Sequence, residues 1–126
     1  MKKLLLILVL ALLPVLLTAC GGSSGSSADG QELFSQSVIG SQAGCSTCHS
    51  VEPGVVVIGP SVAGIGTRAG TLVTGQSAAD YLKESITDPD AYVAEGFPAS
   101  IMPQGYAQEL TSEQVDQLVA YMLTLK

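Results

Sequence analysis

Hydrophobic and polar positions along the chain follow a helical rhythm in three places and almost none elsewhere. The clearest is at the C-terminal end, where Val115, Leu118, Val119 and Met122 fall at i, i+3, i+4 and i+7 and form one apolar stripe. Thr111 followed by Gln114 has the form of a capping box, which predicts a helix from about Ser112 to Leu125. Tyr121 and Leu125 lie on the edge of its stripe, placed to reach a second helix. Leu33 and Phe34, with Ser37 and Val38 a turn later, predict that second helix over about Gly30 to Ile39, with Asp29 as its N-cap. Ser77 with Asp80 opens a third helix, Ala78 to Thr87, which ends before Asp88-Pro89. Between these elements, Gly40 and Gly44 bracket a turn, and Val55 to Ile58 is long enough only for an extended segment. Gly59-Pro60 and the glycine-rich run Ala63 to Gly70 read as irregular chain. The glycines of that run follow no strand and open no helix, so a phosphate loop is poorly supported. The periodicity predicts an all-α fold of helix, irregular loop, helix, long loop and helix.

The first residues are of a different material. Lys2 and Lys3 precede a leucine-rich run from Leu4 to Leu17 that contains Pro14. The run falls short of the roughly 20 apolar residues a membrane span needs. With its basic start and small residues before Cys20, it reads as an export signal over residues 1–19. Leu17-Thr18-Ala19-Cys20 resembles the bacterial lipobox, which implies cleavage before Cys20 and lipidation of its thiol. Residues 20–28 then form the lipid-bearing cysteine and a Gly/Ser tether, and residues 29–126 one small folded domain. Without the signal, Arg68, Lys83 and Lys126 stand against eleven carboxylates, a formal net charge of −8. So acidic a chain has no electrostatic footprint for nucleic acid.

The densest chemistry lies in Cys45-Ser46-Thr47-Cys48-His49. Two thiols separated by two residues and followed by histidine is the attachment pattern of c-type haem. The spacing lets one turn of chain carry both sulfurs to two vinyl groups and leaves the histidine to coordinate iron. A redox CxxC or half of a zinc site would use the same cysteines, but the chain has no second Cys/His pair to complete a zinc site. Cys20, Cys45 and Cys48 are the only cysteines, so lipid and two thioethers leave none for a disulfide.

The span from Pro89 to Leu110 has no periodicity, and a loop of that length in a compact domain needs a task. It holds Ile101-Met102-Pro103, and the expected task is a second iron ligand from the Met102 thioether. Proline after Met102 favours an extended conformation there. A methionine can also be plain core filling. Yet His49 is the only histidine, Met1 leaves with the signal, and Met122 is already accounted for by the last helix's stripe.

With these motifs in place, residues 29–126 resemble a class I monohaem cytochrome c. The resemblance rests on Gly30 to Phe34, Cys45-Ser46-Thr47-Cys48-His49, Gly59-Pro60 with Ala63-Gly64-Ile65, Tyr81-Leu82 to Pro89, Ile101-Met102-Pro103 and the helix with Tyr121. The stretch Asp80 to Pro103 is most similar to haem domains of bacterial respiratory complexes. The sequence lacks the copper-binding cluster of an oxidase subunit II. The resemblance implies three to four helices around one covalent haem c, with His49 and Met102 on the iron. It also implies Gly30 at a crossing of the first and last helices, with Phe34 near Tyr121. The Pro60 carbonyl is expected to accept a hydrogen bond from the His49 ring, and Arg68, Tyr92 and Tyr106 are candidates for the haem propionates. The implied function is one-electron transfer to redox protein partners at a membrane, in a respiratory or photosynthetic chain, without a small-molecule substrate. A fixed subunit of a larger respiratory complex is one alternative. An enzyme or gas sensor with a displaceable methionine is another. The export signal places the domain extracytoplasmically, on the membrane through its lipid. Docking is expected through apolar surface, Val55 to Ile58 or the Phe97 to Pro103 loop.

Overall fold

The computed structural model of the protein describes residues 26–126. The signal expected over residues 1–19, Cys20 and residues 21–25 of the tether lie outside the described residues. The fold starts earlier than residue 29. Helix α1 spans Ser27–Ser35 and is capped by Ser26, whose hydroxyl accepts from the Ala28 N–H at 3.2 Å. Asp29 therefore sits in the first turn, where its charge favours the helix dipole, and not at the cap.

After α1 comes a short hairpin that the periodicity does not reveal. Strands β1, Val38–Ile39, and β2, Gln42–Ala43, pair antiparallel with Val38 opposite Ala43 and Ile39 opposite Gln42. The single turn α2, Cys45–Cys48, follows directly. Helix α3, Ile65–Leu72, occupies the glycine-rich run expected to be irregular. Glycine inside a helix costs about 1 kcal/mol, but long-range contacts outweigh that here. Ile65 and Ala69, one turn apart, are both buried. The free Gly66 N–H of the first turn finds Leu125 O at 2.8 Å.

Helix α4 is Ala78–Thr87, with the Ser77 hydroxyl accepting from the Asp80 N–H at 3.1 Å, as its sequence predicts. A 3-10 turn, Pro89–Ala91, and a one-turn helix α5, Tyr106–Glu109, break up the long loop. Helix α6, Ser112–Met122, carries the complete capping box of Thr111 and Gln114. It ends three residues short of the sequence expectation. The Thr124 hydroxyl bonds to Tyr121 O at 2.7 Å, and the chain tightens into turns.

The core lies where α1, α4 and α6 meet, with α3 packed against α4. Val115, Leu118, Val119 and Met122 are all buried, Leu118 at 1 % exposure being the deepest large side chain. Helices α1 and α6 cross closely at Gly30, where a β-carbon would collide with the Gln117 carbonyl. One turn on, the Phe34 and Tyr121 rings meet with centroids 5.5 Å apart. The described residues thus form an all-α architecture of four helices of eight residues or more, three single turns including the 3-10 one, and one minimal hairpin.

Candidate functional site

Between the helices lies a cavity of about 430 Å³, within the range of sites that hold a cofactor. Cys45, Cys48 and His49 enter its wall from α2 and the residue after it, because Gly44 turns the chain into a single helical turn. The Thr47 hydroxyl steadies that turn on Gly44 O at 2.6 Å. From His49 the chain runs antiparallel to itself, with His49 bridged to Val56, and Ile58 and Gly59 donate to Cys48 O at 3.2 and 2.9 Å. The return brings Pro60 O to 2.8 Å from His49 Nδ1. That contact orients the ring and leaves Nε2 for a metal when Nδ1 carries the proton. Gly59 lies so close under the ring that a β-carbon there would be 2.6 Å from His49 Cε1.

A further stretch of wall comes from the long loop, through Phe97, Pro98, Ile101, Met102 and Pro103. Its course is fixed by Asp90, which accepts from the Ser100 N–H at 2.8 Å and hydroxyl at 2.6 Å. Those two bonds, the side-chain one first, hold the Asp90 carboxyl below its ordinary range. They also hold Ser100 in the left-handed region, at φ 59°. Nothing in the sequence pattern announces this tie, since Asp90 and Ser100 are ordinary loop residues. Met102 is half-buried against the core. Met122 of α6 reaches the same cavity and is 7 % exposed, so two methionines line the wall.

The three residues expected near propionates all border the cavity, and each is already engaged. The Arg68 guanidinium donates to Ser61 O at 2.8 Å and to Ala63 O. Tyr92 packs edge-on against Tyr81 at 5.4 Å. The Tyr106 hydroxyl donates to Ala43 O at 2.6 Å. Burial, with the neighbouring Cys45 and Cys48 sulfurs, pushes Tyr106 up to about 12, so it stays a donor at ordinary pH.

The chemistry of the wall suits a large apolar group with two covalent points of attachment. Burial pushes the Cys45 thiol up to about 11. A raised value disfavours the reactive thiolate at Cys45. Among the described residues, no cluster of three or more His, Cys, Asp or Glu could hold a bare metal ion. The remaining wall is mostly Ile, Leu, Val, Pro and aromatic side chains, an environment that excludes water.

The chain is similar to known proteins of one family. The family model described as cytochrome c matches residues 27–126. The cytochrome c2 iso-2 of Magnetospirillum molischianum is 32 % identical over 90 residues, which cover 65 % of this chain and 91 % of that protein.

Proposed function

The chain belongs to the cytochrome c family and carries covalent haem c, and we propose that it is a membrane-tethered one-electron carrier whose iron is held by His49 and Met102. Haem c supplies a one-electron couple at its iron. The chain supplies the rest. Cys45 and Cys48 would fasten the porphyrin by thioethers, and the Pro60 carbonyl sets the His49 ring. Met102 would supply a thioether ligand to the iron, which favours the reduced state. With His49 and Met102 both ligating, dioxygen and peroxide would find no vacant site, which suits transfer of electrons better than catalysis. The observation that carries this reading is the convergence of Cys45, Cys48, His49 and Met102 on one apolar cavity.

Because Met122 lines the same cavity, the ligand is tested by paired variants. Met102→Ala is expected to keep covalent haem, lose the sulfur-to-iron charge-transfer band of the ferric protein and bind imidazole readily. Met122→Leu is expected to keep the band. The reverse pattern would assign the thioether to Met122.

The lipobox-like segment ending at Cys20 supports an extracytoplasmic lipoprotein, with residues 1–19 removed and the tether leading into α1. No helix of the described residues is long and apolar enough to cross a membrane. In this reading the lipid alone holds the domain at the surface where its redox partners sit.

A further inference from the structure

We propose that Tyr106 is a positioning residue that locks the Met102 loop onto the segment carrying the haem-attaching cysteines. The inference rests on Met102 as a ligand and assigns the Tyr106 hydroxyl to a protein contact in place of a propionate. Tyr106 lies four residues after Met102, and its hydroxyl donates at 2.6 Å to Ala43 O, two residues before Cys45. One hydrogen bond thus joins the segment after Met102 to the segment before Cys45, across a sequence separation of 63.

The bond is the centre of a wider clasp between the β1–β2 hairpin and α5. Ser41 at the hairpin tip donates its hydroxyl to Glu109 Oε1 at the end of α5. Gly105, just before α5, packs so closely on the hairpin that a β-carbon would lie 2.6 Å from the Gln42 side-chain nitrogen. Ile39 of the hairpin, Tyr106 and Leu110 are at most 8 % exposed, so apolar contact backs the polar ties. Upstream of Met102, Asp90 grips Ser100 by two bonds. The span 101–105 is therefore fastened at both ends, and moving its backbone away from the cavity releases one of them. Swinging the downstream end away from the cavity would break the Tyr106 bond and leave Ala43 O without its partner.

The test uses the full-length holoprotein with Tyr106→Phe, which keeps the ring and removes only the hydroxyl. Losing one hydrogen bond of ordinary strength changes an opening equilibrium by roughly fivefold. Imidazole binding to the ferric protein, which requires the methionine to leave, is expected to accelerate by about that factor. The charge-transfer band is expected to disappear at lower denaturant concentration than in the unmodified protein, ahead of the far-ultraviolet helix signal. Ser41→Ala, which loosens the clasp from the other end, is expected to act in the same direction and more weakly. Unchanged imidazole kinetics in Tyr106→Phe would overturn the proposal. So would band and helix signals that shift together, because that marks general destabilisation. Retention of the band in Met102→Ala would overturn the ligand assignment and the lock with it. Loss of the band there with no effect of Tyr106→Phe would overturn the lock alone.

Discussion

Gly59 shows how much a single absent side chain controls. The His49 ring occupies the space that a β-carbon at residue 59 would need, and Pro60, the next residue, supplies the carbonyl that faces Nδ1. Gly59→Ala must therefore move either the ring or the carbonyl strand. Overpacking of this kind costs about 1–3 kcal/mol, and denaturant unfolding of the holoprotein is expected to show a loss of that size. Voltammetry is expected to show a shifted reduction potential, because the ring orientation tunes the metal. Gly70→Ala provides the contrast. It lies inside α3 with its nearest new neighbour 3.5 Å away. It is expected to leave the potential unchanged and to gain up to about 1 kcal/mol from helix propensity.

At the scale of elements, the crossing of α1 over α6 closes the fold, and Gly30 sets its distance. The collision a β-carbon would make there is with the backbone of Gln117, which cannot rotate away as a flexible side chain could. Gly30→Ala gains about 1 kcal/mol of helix propensity but must push the helices apart. That parts the Phe34 and Tyr121 rings and opens the packing around Leu118. A net loss of about 2 kcal/mol is expected, measured as a lower denaturation midpoint with the haem spectrum retained under native conditions. The ion pair between Lys83 of α4 and Asp116 of α6, at 3.1 Å and exposed, contributes at most about 1 kcal/mol and does not secure the arrangement.

For the molecule as a whole, charge and exposed apolar surface decide how partners meet it. Arg68, Lys83 and Lys126 are the cations of the described residues, and all three are engaged: by loop carbonyls, by Asp116 and by Gly66 O respectively. They face eleven carboxylates, so this surface cannot form a ring of lysines. Val55, Val56, Val57 and Ile58 stand 46–59 % exposed on the strand that returns from His49, and Ile101 is 53 % exposed beside Met102. Electron transfer from the domain freed of its proposed anchor to an acidic acceptor is expected to be slow at low salt and to stay flat or rise as salt is added, since screening weakens repulsion. Stopped-flow rates over a salt series check this, and a steep fall with salt would reveal a local basic patch. The proposed tether gives a second prediction at this scale. In a chain whose signal is still processed, Cys20→Ser is expected to release a soluble haem protein, seen by fractionating membranes and following haem absorbance. Retention on the membrane would point to a protein partner or an uncleaved signal.

The features legible in the sequence are those fixed by neighbours along the chain. The spacing of Cys45, Cys48 and His49 belongs to one helical turn. The Ser77 and Thr111 caps satisfy N–H groups three residues away, and the α6 stripe is a property of the helix repeat. The fold class follows from these together with the match of the whole domain to the family's pattern. What only the tertiary structure decided depends on partners far apart in the chain. Helix α3 is hidden by its glycines because the contacts that repay them, Gly66 to Leu125 above all, come from the other end of the protein. The hairpin is too short to show a strand period, and its meaning appears only when Tyr106 reaches Ala43. Met122, explained in sequence by its stripe, also turns out to share the cavity wall with Met102. Local spacing determined what this chain can bind, whereas long-range closure decided which loops surround the site and how firmly they are held.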